Sequence, residues 1–148
     1  MSQELVKNWM SKDVITIDAD SCCLPEAHRI MTDNQIRRLP VIDKNGRLAG
    51  IVTRGDIRGA EPSQATSLSI WELNYLLANL KIADIMTPNP VTVLENNTIG
   101  EAADVMLEHK VSGLPVLNGS GQLVGIITES DIFRMVVRHE WSEKEPSI

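Results

Sequence analysis

Pro40 and Pro115 each sit in Leu-Pro-Val, and from each the chain runs through a turn of small and polar residues to Gly-hydrophobic-hydrophobic-Thr-x-x-Asp-Ile. The offset is 75 positions (115 − 40), and it holds from Arg38 against Gly113 to Ile57 against Ile132. A period of this length is too long for a solenoid unit. It suits a small domain of strands and helices present twice, each copy burying a face against the other. Polar motifs are therefore read in two versions, and function is expected where the copies meet.

Length and charge agree with that reading. A chain of 148 residues with 43% hydrophobic content can build one core shared by two half-size copies. Fourteen basic against twenty acidic residues give a net charge of −6, so no overall positive field exists to hold a polyanion, and nucleic acid is disfavoured as a partner. Met1 to Lys7 lacks a basic segment leading into a long apolar run, and no apolar stretch reaches the ~18 residues of a membrane span. A soluble, cytoplasmic protein without membrane attachment is expected. The adjacent Cys22 and Cys23 read as reduced packing residues, with a redox-sensing thiol as the alternative.

Each copy opens with a Met, a polar turn and a β-branched run suited to a strand, Met10 to Ile17 and Met86 to Val93. Amphipathic helices are predicted from Leu24 to Asn34 and from Ile99 to His109. Thr98 with Glu101 forms a capping box for the second helix, where the first has Cys23 and Glu26 with Pro25 in the opening turn. Two hairpins follow, Pro40 to Ile42 with Leu48 to Thr53 and Pro115 to Leu117 with Leu123 to Thr128, across turns rich in Asn, Asp and Gly. A second helix starts near Asp56 and near Asp131, the latter running through Ile132, Phe133, Met135, Val136 and Val137. Between the copies, Gly59 to Thr66 is turn-forming. Ser69 to Glu72 reads as another capping box, and Leu73, Leu76, Leu77 and Leu80 form an apolar face expected to pack. The tail from Ser142 to Ile148 is expected to fray. The organisation predicted is repeat 1 over 8–58, a linker with connecting helix over 59–81, repeat 2 over 82–137 and a tail over 138–148.

Strand, helix, Leu-Pro-Val hairpin and closing Thr-x-x-Asp-Ile, twice in register, resemble a tandem pair of cystathionine-β-synthase (CBS) domains, a Bateman module, over about residues 8 to 58 and 82 to 137. The linker from Ala65 to Leu77 further resembles CBS-pair proteins of the bacterial acetoin-utilisation type. Those often carry an ACT domain for which this length leaves no room, so amino-acid sensing through one is not expected. The resemblance implies an α/β (α+β) fold of two repeats related by pseudo-twofold symmetry, with small packed sheets, flanking helices and two clefts between them. It also implies a sensor of adenosine nucleotides or related adenosyl compounds, often dimeric, rather than a catalyst.

By that resemblance Asp56 and Asp131 accept hydrogen bonds from ribose hydroxyls. Thr53 and Thr128, one helical turn earlier, contact the sugar or a phosphate, while unpaired N–H groups at the helix start favour an anion. Adenine needs apolar walls and backbone hydrogen bonds. Val14, Ile15 and Thr16 with Ile36, Arg37, Arg38, Leu39 and Pro40 are expected to supply them in the first site. Asn89, Pro90 and Thr92 with Val111, Ser112, Gly113, Leu114 and Pro115 would do so in the second. The sites differ in charge: Arg37, Arg38, Arg54 and Arg58 of the first copy stand opposite Ser112, Gly113, Glu129 and Phe133, with Arg134 just beyond. Arginine's planar fork suits phosphate oxygens, so the first site is expected to prefer a phosphate chain and the second a less charged ligand. Gly55 departs from the Ser or Thr usual before the aspartate, which Ser130 keeps.

Plainer readings stand beside these. An aspartate at a helix start is often only a cap, and the arginines can be a solvated face. Gly50 and Gly125 suit close backbone packing, and Pro40 and Pro115 an architectural role. His28, His109 and His139 have no metal-site spacing, and Trp9, Trp71 and Trp141 read as core or dimer contacts. No nucleophile set or phosphate loop appears, so an enzyme is not expected. The leading expectation is a homodimeric regulatory module that binds AMP, ADP, ATP or S-adenosylmethionine, requires no cofactor or metal, and signals to a regulated partner protein. The alternative is a ligand-independent dimerisation or scaffold module.

Overall fold

Both hairpins form, and the side chain at the equivalent position shapes each turn. Asp43 Oδ1 accepts the N–H groups of Asn45 and Arg47 at 2.8 and 3.0 Å. Asn118 Oδ1 accepts those of Ser120 and Gln122 at 3.0 and 2.9 Å. Gly46 and Gly121 close the turns at φ 77 and 81, a conformation that a side chain would strain. The computed structural model describes residues 4–20, 24–60 and 69–144. The chain divides into two compact units, Ile15–Pro90 and Met1–Val14 with Val91–Ile148.

The unit Ile15–Pro90 contains β1 (Ile17–Asp18), α1 (Leu24–Asp33), β2 (Arg38–Ile42), β3 (Leu48–Thr53), α2 (Arg54–Ala60), α3 (Ile70–Asn79), α4 (Ile82–Ile85) and β4 (Thr87–Pro88). The strands lie in the order β1-β2-β3-β4, parallel between β1 and β2 and antiparallel elsewhere. Met31, Leu39, Val41, Val52, Ile57 and Ile82 are fully buried between sheet and helices. The other unit contains a 3-10 turn (Val6–Asn8), β5 (Val93–Leu94), α5 (Ile99–His109), β6 (Gly113–Leu117), β7 (Leu123–Thr128) and α6 (Glu129–Lys144). Val6, Val93, Ile99, Ala102, Met106, Leu114, Val116 and Ile127 form its core.

The opening segment of each copy pairs with the sheet of the other. Thr87 and Pro88 pair with Ile51 and Gly50 on β3, and Ser11 bridges Ile126 on β7. Glycine makes this possible. A Cβ on Gly50 would lie 2.7 Å from the Thr87 carbonyl oxygen, and one on Gly125 would lie 2.8 Å from that of Ser11. The N-terminal segment is tied along the same unit, with Val6 N–H on Asn97 O at 2.9 Å and Ile99 N–H on Glu4 O at 2.8 Å.

The expected capping box of α5 is present. Thr98 Oγ1 accepts Glu101 N–H and Glu101 Oε1 accepts Thr98 N–H, both at 3.1 Å. Ser69 Oγ likewise accepts Glu72 N–H at 3.2 Å at the start of α3. Cys22, Cys23 and Trp141 lie outside the residues whose side chains are described. Two expectations need correction, and a third is met only in part. Val14 to Thr16 are not strand, because pairing with β2 begins only at Ile17 opposite Val41. Of the face expected on the connecting helix, Leu76 is 53% exposed and Leu80 packs on the core, while Ile70, Trp71 and Tyr75, outside that face, are 68%, 81% and 71% exposed. Its Leu73 and Leu77 side chains lie outside the described set. Finally, α6 carries through Ser142 to Lys144, into the stretch expected to fray. Among the described residues no helix is long and apolar enough to cross a membrane, and no group of three metal-binding side chains is assembled.

Candidate functional site

Hairpin register brings the start of β2 beside the end of β3, so the residues before one strand meet the helix that follows the other. Arg38 pairs with Thr53, and Arg54 N–H donates to Arg37 O at 3.0 Å. In the other unit Gly113 pairs with Thr128, and Glu129 N–H donates to Ser112 O at 3.0 Å. Arg37 and Arg38 thus stand beside Thr53 and Arg54, with Leu39 and Pro40 opposite Val52 and Ile51, and Ser112 and Gly113 beside Thr128 and Glu129, with Leu114 and Pro115 opposite Ile127 and Ile126. Ile15 and Thr16 lead into β1, which runs parallel to β2, and Thr92 leads into β5 beside β6. Val14, Asn89 and Pro90 stand at the two points where the chain passes from one unit to the other. Leu39, Pro40, Leu114 and Pro115 are fully buried, so they offer a ligand little beyond backbone.

The two aspartates share a capping role and differ in everything else. Asp56 Oδ2 accepts Thr53 N–H at 2.8 Å, and Thr53 Oγ1 accepts Asp56 N–H at 3.1 Å. Among the described residues nothing donates to Asp56 Oδ1. Asp131 Oδ2 accepts both the N–H and the hydroxyl of Thr128, at 2.9 and 3.2 Å, and its Oδ1 accepts Arg134 Nη1 at 2.7 Å. Asp131 is also the more deeply buried, only 5% exposed. The expectation of unpaired helix-start amides is not met at positions 54, 56 and 129. Each of these amides donates within the protein, because the Thr-x-x-Asp hydrogen bonds and the hairpin use them.

Arg37, Arg54 and Arg58 have no ion pair among the described residues, and Arg54 Nε is buried without a hydrogen-bond partner. Position 54 is Glu129 in the second copy, and Gly59 stands where that copy has Arg134. The Asp131–Arg134 pair was readable as an i,i+3 spacing on a helix. A second cluster carries no local signature. Trp9 Nε1 donates to Glu4 Oε2 at 2.9 Å, His139 Nε2 lies 2.9 Å from Glu4 Oε1, and Arg138 sits 5.4 Å over the Trp9 ring. The Trp9 bond, followed by His139, holds the Glu4 carboxyl below its ordinary pKa.

Two Thr-x-x-Asp junctions on two matching sheets define a tandem repeat module with a polar site on each copy. The chain belongs to the CBS domain family, whose domain matches residues 6–63 and 82–138. A CBS domain-containing protein of Dictyostelium discoideum is 38% identical over 134 residues, 90% of this chain and 92% of that one. Some relatives are far longer: the chain spans 23% of an inosine-5'-monophosphate dehydrogenase of Korarchaeum cryptofilum, at 35% identity and over 86% of its own length. Among solved structures, the CBS domain pair of protein MJ0100 with 5'-methylthioadenosine and S-adenosyl-L-methionine has TM-score 0.75 and 31% identity, over 93% of this chain and 99% of that one. CBSX2 in complex with AMP has TM-score 0.76 and 25% identity, over 93% and 98%. A Vibrio cholerae chain named for acetoin utilization has TM-score 0.76 and 27% identity, over 98% and 100%. The expected family, mixed α/β fold and acetoin-type likeness are thereby met.

Proposed function

We propose that the chain is a regulatory module that binds a phosphate-bearing adenosyl compound at Asp56 and passes its occupancy to a partner protein. The observation that carries this reading is the unfinished polar set of the first copy. Among the described residues it comprises a carboxylate oxygen without a donor, the Arg37, Arg54 and Arg58 guanidiniums without an ion pair and a buried Arg54 Nε without an acceptor. A ribose diol would satisfy Asp56 Oδ1, and phosphate oxygens would satisfy the arginines. The adenosyl ligands bound by MJ0100 and CBSX2 support the chemical class. The base is proposed to lie on the first copy near Asp56, where Ile15 and Thr16 lead into β1 and Arg37 and Arg38 stand beside the end of β3.

The same reading makes the protein a cytoplasmic homodimer and not an enzyme. Phe133 and Val137 on α6 are 62% and 61% exposed, and Trp71 and Tyr75 on α3 are 81% and 71% exposed, so each helix by itself offers apolar surface for a second copy. Ligand binding can bias such an assembly only by favouring one of its geometries. A scaffold reading is favoured by the capping bonds of Asp56 and Asp131, which need no ligand. Titration calorimetry with AMP, ATP and S-adenosylmethionine separates the two. Saturable binding lost in Asp56→Ala supports the sensor, and silence toward all three supports the scaffold.

A further inference from the structure

We infer that Arg134 is a built-in lock on Asp131, so that the chain has one open adenosyl site rather than two. The inference rests on the proposed role of Asp56 as a ribose acceptor. The two aspartates occupy equivalent positions, 75 residues apart (131 − 56), and both receive the backbone N–H of the preceding Thr. They part at the other oxygen. Asp131 Oδ1 accepts Arg134 Nη1 at 2.7 Å, a charge-assisted bond, and the Thr128 hydroxyl turns its proton onto Oδ2 at 3.2 Å. Thr53, by contrast, accepts from Asp56 N–H, and position 59 carries no side chain to approach Oδ1.

Displacing the lock is unfavourable because the pair is unevenly exposed. The Arg134 side chain is 59% exposed and water can serve it, but the Asp131 side chain is 7% exposed. A ribose replacing the guanidinium would trade an ionic partner for neutral hydroxyls beside a nearly buried carboxylate. Glu129, at the position of Arg54, adds a negative charge where a phosphate would have to sit. Gly59 allows the converse experiment, since nothing lies within 4 Å of a Cβ built there.

The test is calorimetric stoichiometry with AMP and with 5'-methylthioadenosine, on wild type, Arg134→Ala and Gly59→Arg, with circular dichroism to verify folding. Wild type should bind one ligand per chain, lost in Asp56→Asn. Arg134→Ala should gain a second, lost in Asp131→Asn. Gly59→Arg should weaken the first site about tenfold or more, the scale of one charge-assisted bond. Two ligands on wild type, no gain in Arg134→Ala, or unchanged affinity in a folded Gly59→Arg each overturns the lock. If wild type binds neither probe, the Asp56 reading fails by itself. The lock then stands if Arg134→Ala binds through Asp131 and falls if it does not.

Discussion

Gly50→Ala and Gly125→Ala should destabilise the protein to nearly the same degree, because each would put a methyl group into the same contact. At Gly50 the new Cβ would lie 2.5 Å from Met86 Sδ and 2.7 Å from Thr87 O, and at Gly125 it would lie 2.5 Å from Met10 Sδ and 2.8 Å from Ser11 O. The sulfur can swing away. The carbonyl cannot, because it belongs to the segment that completes the sheet. An ordinary C···O contact is about 3.3 Å or more, so that segment must retreat by about 0.5 Å or more. Its hold is slight: β4 has two register pairs on β3, and Asn89 N–H reaches Ala49 O at 3.3 Å. Overpacking of this kind costs about 1–3 kcal/mol, against roughly 0.5–1 kcal/mol regained from lower unfolded-state freedom. A net loss of about 1–2 kcal/mol corresponds to a fall in Tm of roughly 2–8 °C at this chain length. Urea denaturation of both variants beside Gly119→Ala, where nothing lies within 4 Å, gives the comparison. Adding Met86→Ala to Gly50→Ala should rescue it in part at most, since the carbonyl clash remains. Midpoints equal to that of Gly119→Ala, or full rescue by Met86→Ala, would refute the argument from the backbone.

Two further outcomes are expected. Restoring a hydroxyl with Gly55→Ser should leave Tm equal or slightly higher and tighten AMP binding, because a Cβ there meets only Thr53 Oγ1, at an ordinary 3.5 Å. A drop in Tm would show that position 55 tolerates no side chain. The Glu4 carboxyl, held low by Trp9 and then His139, contributes stability above its unfolded-state pKa, and loses it as the pH falls through the depressed folded value. Glu4→Gln should therefore show a shallower loss of urea midpoint between neutral and acid pH than wild type, and parallel losses would discount the Glu4 contacts.

What could be read from the sequence was whatever a few neighbouring residues decide. Thr98 with Glu101, Ser69 before Glu72 and the two Asx-type hairpin turns were legible because each is set by groups within four positions. The exchange of opening segments was not. Met10-Ser11 and Met86-Thr87 read alike, and both sheets offer the same glycine slot, so periodicity fits either pairing. The α3 helix shows the complementary limit: its apolar spacing was visible, but a spacing does not name the surface that covers it. At the candidate site, the junction of β2 with β3 followed from the hairpin. Which carboxylate oxygen is already taken depends on side-chain rotation, and that was written nowhere in the spacing.

The divergence of the two copies can be divided by physical role. Leu-Pro-Val, the paired glycines and Thr-x-x-Asp are the same in both, and each has a folding reason to be there: strand pairing, close approach or a cap. Residues that differ in charge near the aspartate, Arg54 against Glu129 and Gly59 against Arg134, have no such reason, since both copies build the same strand-to-helix junction around them. In the second copy the polar network closes on itself through Arg134. In the first, among the described residues, it stays open, and a buried donor such as Arg54 Nε left without a partner costs on the order of 1–3 kcal/mol in the unliganded protein. A ligand that meets that donor removes the cost at the moment of binding. Arg54→Gln should therefore lower AMP affinity while leaving the stability of the empty protein unchanged or higher, a combination that a purely structural arginine would not give.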